Sequence, residues 1–266
     1  MPKINVNGVN IHYEESGQGE ETIVFSHGLL WSNRMFDNQV TVLKDKYRVI
    51  AYDHRGQGQS EVAESGYDMD TLTDDAIALI ETLKLGKVHF VGLSMGGFVA
   101  MRIAARRPDL IKTMILIETS ADPEPQENVL KYKLLSLVAR WFGLALVAKS
   151  VMPIMFGQTW LNDSARADEH QYWKTQLLNN HRTGITRAVK GVVNRNGVVD
   201  ELSNIQMPTL ILVGDEDVAT VPAKAETIHA AIPQSKLVYI PQAGHTSSVE
   251  NPNAVNQAIG DFLAQF

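Results

Sequence analysis

Three residue types that together turn a hydroxyl into a nucleophile stand after apolar runs in this 266-residue chain. Ser94 lies in Gly92-Leu93-Ser94-Met95-Gly96, between the apolar run Val88–Val91 and a helical pattern. This is the G-x-S-x-G spacing of a nucleophile elbow. A strand turning into a helix within about one residue strains the serine backbone, and a side chain two positions away on either side would clash, so glycine is needed there. A serine hydroxyl is a weak nucleophile until a base takes its proton, and an imidazole oriented by a carboxylate is the suitable base near neutral pH. Asp217 follows the run Thr209–Val213, and His245 follows the run Lys236–Ile240. The order Ser94, Asp217, His245 is the one expected when a parallel sheet presents such a relay at the carboxyl ends of its strands. Asp215 and Glu216 compete for the acid role, and Glu118, after the preceding strand, is a topologically possible substitute. His12, His89, His170, His181 and His229 have no motif around them and read as surface or structural residues. A developing oxyanion needs two backbone N–H groups, expected from Met95, after the serine, and from Leu29, in the loop after Thr22–Phe25. His27 in that loop reads as structural.

The elements that must hold these residues follow from hydrophobic periodicity. Ile4–Val6 and Val9–Tyr13 alternate around Asn7-Gly8, a hairpin signal. Strands are expected at 22–25, 47–52, 88–91, 111–117, 208–213 and 236–240. Helices are expected at 34–43, from Thr71 or Thr73 to about Leu83, at 95–107 before Pro108, at 222–232 and at 254–266. Strands alternating with helices predict an α/β fold, a mostly parallel central sheet with helices on both faces. From Asp122 to Asn204 the alternation stops. Helical patterns at 130–138, 142–151, 165–178 and 185–193 replace it, with a strand conceivable only at Val198-Val199. Residues 1–121 and 205–266 are therefore read as a core domain, and 122–204 as an inserted helical cap.

Composition removes several classes of function. With 20% charged and 44% hydrophobic residues the chain is globular, and a net charge of −6 argues against nucleic acid as a partner. There is no cysteine, which excludes disulfides and thiolate chemistry. The most apolar stretch, 134–156, is interrupted by Arg140, Lys149 and Pro153, so no membrane span is expected. The N-terminus lacks an apolar signal region, and a cytoplasmic location is expected. No metal cluster or dinucleotide motif is present in the sequence; Gly56-x-Gly58 does not complete a G-x-G-x-x-G pattern.

The motifs His27-Gly28, Asp53-His54-Arg55-Gly56-Gln57-Gly58-Gln59-Ser60, Gly92-Leu93-Ser94-Met95-Gly96-Gly97, Gly214-Asp215-Glu216-Asp217 and Gly244-His245 come in one order. In them the chain resembles the α/β-hydrolase superfamily over nearly its whole length. Its elbow, its tail and the block Tyr67–Asp75 are similar to those of 3-oxoadipate enol-lactonases, non-haem haloperoxidase-like proteins and small carboxylesterases. The resemblance implies a hydrolase without a cofactor and gives the 53–60 loop a mainly structural role. Serine at position 94 departs from the haloalkane dehalogenase and epoxide hydrolase relatives, which carry aspartate there. The expected activity is hydrolysis of carboxylic esters or lactones. Enol-lactonase-like hydrolysis, C–C bond hydrolysis and perhydrolysis are alternatives on the same triad, and a small-molecule receptor is the non-enzyme alternative.

The cap should supply the substrate pocket. Trp31, Leu144, Val147, Met152, Met155, Phe156 and Trp160 are the expected lining, an apolar wall suited to an acyl or aryl group. A substrate carrying a free carboxylate would need a cation, for which Arg140, Arg182, Arg187 and Arg195 are the candidates. The lining points instead to an uncharged ester or lactone.

Overall fold

A computed structural model of the chain describes residues 2–266. Eight strands, β1 (Lys3–Val6), β2 (Val9–Ser16), β3 (Thr22–Ser26), β4 (Arg48–Tyr52), β5 (Val88–Leu93), β6 (Ile111–Ile117), β7 (Thr209–Gly214) and β8 (Ser235–Ile240), form one sheet in the order β1-β2-β4-β3-β5-β6-β7-β8. β2 runs antiparallel to both β1 and β4, and every other pairing is parallel. The mostly parallel sheet expected from the alternation is thus present, with a hairpin at one edge. Asn7 and Gly8 both adopt positive φ at its tip, as a tight hairpin turn requires.

The central strands are apolar on both faces because helices cover both. Residues such as Val24, Ile50, Phe90 and Leu116 pack under α2 (Met69–Thr82), α3 (Met95–Arg106) and α9 (Pro222–Ala231). Their neighbours Ile23, Val49, Val91 and Ile117 pack under α1 (Asp37–Leu43), α10 (Ser247–Glu250) and α11 (Pro252–Leu263). The helix after the glycine-rich loop is capped by Asp68 rather than by either expected threonine. The Thr71 N–H donates to Asp68 Oδ1 at 2.9 Å, and the Thr71 hydroxyl donates to Asp68 Oδ2 at 2.8 Å. A carboxylate with extended backbone is the better acceptor for that helix start.

Between β6 and β7 the chain forms five helices, α4 (Gln126–Phe142), α5 (Ala145–Met155), α6 (Gln158–Asn162), α7 (Ala167–Leu178) and α8 (Arg182–Val193). α5 begins only after Gly143, whose φ of 102° ends α4. Val198-Val199 is not a strand: residues Val199–Asn204 form a 3-10 turn whose Leu202 is buried in the cluster beneath α3. No helix among the described residues is long and apolar enough to cross a membrane.

Candidate active site

At the carboxyl end of β5, Ser94 adopts φ 52° and ψ −111° and starts α3. The turn leaves no room around it. A Cβ on Gly92 would meet the Gly96 carbonyl, and one on Gly96 would meet the Ser26 carbonyl. The strained serine is held from behind: its N–H donates to the Ile117 carbonyl at 2.9 Å, and its carbonyl accepts the Thr119 hydroxyl at 2.8 Å. Strain at such a residue persists only where its surroundings over-determine it.

Ser94 Oγ lies 2.8 Å from His245 Nε2, and His245 Nδ1 lies 2.9 Å from Asp217 Oδ2. All three residues are buried. The carboxylate fixes the tautomer: Nδ1–H donates to Asp217, leaving Nε2 to accept from the serine hydroxyl. The other Asp217 oxygen closes its own loop, accepting the N–H groups of Ala219 at 2.7 Å and Thr220 at 3.1 Å. Thr220 adds a hydroxyl bond to Oδ2 at 2.7 Å. Burial alone would raise the Asp217 carboxyl. The positive charge and hydrogen bond of His245 and the Thr220 hydroxyl outweigh burial and hold it well below the usual carboxylate range.

The competing acids do other work. Asp215 is exposed, and Glu216 accepts the Thr159 N–H at 2.8 Å, tying the start of α6 to this loop. Glu118 lies behind Asp217, not against His245, and both its oxygens accept the Gly214 N–H, at 2.8 and 2.9 Å. Burial, reinforced by the negative charge of Asp217, pushes its carboxyl well above the ordinary value.

The Leu29 loop crosses the mouth of the elbow. Among the described residues neither the Leu29 nor the Met95 N–H donates to a protein acceptor, and Leu29 lines the same cavity as Ser94 and His245. His27 braces this loop, with Nδ1 donating to the Gly28 carbonyl at 2.7 Å and Nε2 accepting the His54 N–H at 3.0 Å. The 53–60 loop is likewise occupied internally: Asp53 accepts from the Asn33 and Gln59 N–H groups and from His12 Nδ1, and Arg55 forms a buried fork on Asp75. His89 bonds Thr113 and Glu21, His170 the Trp160 carbonyl and His229 Ser235, and His181 caps α8. No group of three or more His, Asp or Glu among the described residues is arranged to hold a metal ion.

A cavity of about 130 Å³ opens above Ser94, and an apolar cavity of roughly 150 Å³ is known to hold benzene, so there is room for one small acyl or aryl group. Leu144, Val147 and Met155 line it as expected, joined by Leu135, Val151, Ile154 and Val189. Trp31, Met152, Phe156 and Trp160 do not line it, which corrects that part of the sequence expectation. Phe156 stacks on Trp160 with ring centres 4.1 Å apart, and Trp31 meets Phe156 and Trp173 edge-on. Met152 packs beside the same cluster. These large side chains fasten the inserted helices to the body instead of facing the cavity. Of the four candidate arginines only Arg195 reaches the cavity wall. It is neutralised there by Glu124 at 2.7 Å and lies over the Phe98 ring at 4.3 Å.

Sequence reasoning missed Thr220 and Glu250. Thr220 was available as the threonine three residues after Asp217, where a hydroxyl can close an aspartate turn. Glu250 has no local signature. Its buried carboxyl accepts the N–H groups of Gly157 at 2.8 Å, Gly244 at 2.9 Å and Thr246 at 3.0 Å, so it joins the start of α6 to both neighbours of His245. Burial pushes it up to about 7 despite these three donors.

Comparison with known proteins adds a lineage to this geometry. A family description of the alpha/beta hydrolase fold matches residues 21–252. The chain is 27% identical over 264 residues to 3-oxoadipate enol-lactonase 2 of Acinetobacter baylyi, covering 99% of this chain and 96% of that one. The enol-lactonase from Burkholderia xenovorans LB400 superposes with a TM-score of 0.92 at 28% identity, covering 99% of this chain and all (100%) of that one. A thermophilic esterase from Thermogutta terrifontis does so with a TM-score of 0.92 at 29% identity, covering 100% of this chain and 99% of that one.

Proposed function

The chain belongs to the alpha/beta hydrolase fold family, and from that premise we propose that it is a serine hydrolase of uncharged carboxylic esters or lactones. The observation that carries this reading is the hydrogen-bonded line from Ser94 Oγ through His245 to Asp217, at 2.8 and 2.9 Å. In the proposed reaction His245 Nε2 takes the hydroxyl proton as Ser94 Oγ attacks the carbonyl carbon. The carbonyl oxygen becomes an oxyanion held by the Leu29 and Met95 N–H groups. Imidazolium then returns the proton to the leaving alkoxide, the C–O bond breaks, and an acyl group remains on Ser94. Water, deprotonated by the same nitrogen, attacks the acyl carbon, releases the acid and restores the serine. Asp217, held ionised, orients His245 and stabilises its charged form throughout. Thr220 and Glu250 are positioning residues.

Residues 122–204 act in this reading as a cap that chooses the acyl group. An enol-lactone bearing a free carboxylate would bury its charge against a wall whose cation, Arg195, is already paired. A buried charge without a partner is costly, so neutral esters and lactones fit the wall better. Ser94→Ala should lower kcat/KM for short p-nitrophenyl esters at least about 1,000-fold while leaving the melting temperature near that of the native protein. Unchanged turnover in that variant would sink the proposal.

A further inference from the structure

The helix that roofs the cavity is apolar on both sides. On α4, Tyr132, Leu135, Ser136 and Ala139 face the cavity. On the opposite side, Leu130, Leu134, Leu137 and Trp141 are 77%, 60%, 55% and 70% exposed. Their spacing of four, three and four residues lines them along one helical stripe. Phe142 and Leu146, at the turn into α5, are 71% and 67% exposed. Six of the thirteen exposed large hydrophobic residues among those described thus fall within 130–146. The remainder are scattered, which is ordinary for a surface; this concentration is not.

The charges around the stripe are basic with one exception. Lys131, Lys133, Arg140 and Lys149 are exposed, and between Asn128 and Asn162 the sequence has no acidic residue although the chain carries a net −6. Glu127, in the first turn, is the one acid on α4. On a helical wheel Lys131 falls to one side of the stripe, and Lys133 and Arg140 to the other. Leucines with tryptophan and phenylalanine, flanked by Lys and Arg, are the composition of a helix that lies in a lipid interface. A second copy of this chain fits less well. A two-fold contact about the middle of α4 sets its two ends against each other, which brings Lys131 toward Arg140 and adds like-charge repulsion.

We propose that the exposed face of α4 docks on an anionic lipid surface, with the leucine stripe and Trp141 entering the interface and the flanking basic residues meeting the headgroups. Docking there places the cavity roof directly at the lipid boundary. The proposal does not depend on the hydrolase reading, because binding is measured without turnover.

The test is sedimentation of the full chain with phosphatidylcholine vesicles, with and without phosphatidylglycerol, alongside tryptophan emission. Trp31, Trp160 and Trp173 are buried, so a blue shift reports Trp141. Binding should be at least about tenfold stronger to the anionic vesicles and weaken with added salt. It should be lost in Leu134→Ser/Trp141→Ser and in Lys131→Glu/Lys133→Glu/Arg140→Glu, both retaining the native melting temperature and turnover of a soluble short ester. No vesicle binding, equal binding to both vesicle types, or a concentration-dependent dimer abolished by Leu134→Ser/Trp141→Ser would each overturn it.

Discussion

Ser94, Asp217 and His245 stand across one cleft from Leu135, Val151, Ile154 and Val189, and the two sides are built differently. On the relay side each reacting group is held by directional bonds. The Ser94 carbonyl is held by Thr119, the Asp217 oxygens by Ala219, Thr220 and His245, and the backbone on either side of His245 by Glu250. On the roof side the cavity is walled mostly by apolar side chains, with Tyr132, Ser136 and Thr186 among them, and the ion pair within reach, Arg195–Glu124, is closed on itself. A displacement of about 1 Å on the relay side moves a proton-transfer distance, which is costly in rate. The same displacement on the roof changes which acyl group fits and little else. On the proposed reading, reaction type and substrate choice are therefore separable: one depends on hydrogen-bond geometry, the other on packing volume.

The sharpest way to break that separation is Asp217→Asn. It keeps the shape but withdraws the charge that orients His245, and kcat should fall by about 10,000-fold in steady-state ester assays. A loss under tenfold would mean the relay is not what distinguishes this side of the cleft.

Glu250→Gln tests the support one layer out. A glutamine cannot accept N–H groups on both termini, so one of the three donors is left facing an amide nitrogen. The loss should be about 1–3 kcal/mol in denaturant unfolding, with kcat lowered about tenfold through looser placement of His245. The variant should also change the pH profile of stability. The folded carboxyl is raised from the ordinary 4.5 to about 7, so the folded state favours the protonated form. Its contribution is full below about 4.5 and is lost as pH rises through about 7, by up to about 3 kcal/mol. Glu250→Gln should flatten that window. Asp217 works in the opposite sense: its folded carboxyl is depressed, so its contribution is lost only as pH falls through that lower value.

The smallest expected effect lies on the roof. Val189→Phe should shorten the longest acyl chain accepted while leaving kcat/KM for an acetate ester within about threefold, read from a p-nitrophenyl ester series. An equal loss across the series would place this wall in the catalytic machinery and erase the contrast.

How far each side was legible from sequence follows the same division. The strand and helix order was readable because apolar periodicity is local, and the sheet is mostly parallel as the alternation predicts. Ser94, Asp217 and His245 could be picked from their loops because strand ends converge at one edge of a parallel sheet. The choice among Asp215, Glu216 and Asp217 left one residue to geometry, and the structure sets only Asp217 against His245. The roof was less legible. An aromatic residue looks equally able to line a cavity or to fasten one element to another, and Trp31, Phe156 and Trp160 do the second. Glu250 was invisible because its burial depends on Gly157, 93 residues away, which shares its carboxylate with the nearby N–H groups of Gly244 and Thr246.

The sequence by itself therefore determined the elbow, the order of the relay and the layering of the sheet. Each rests on sterics within a few residues: glycine where a Cβ would strike backbone, and alternation where a strand is covered on both faces. Tertiary structure alone decided which side of α4 and α5 faces the cavity, that Arg195 arrives there already neutralised, and that a run of leucines ends with Trp141 in solvent. Those outcomes depend on how helices from one stretch settle against strands from several others, and that packing is a long-range balance of volumes and charges that no single window of sequence contains.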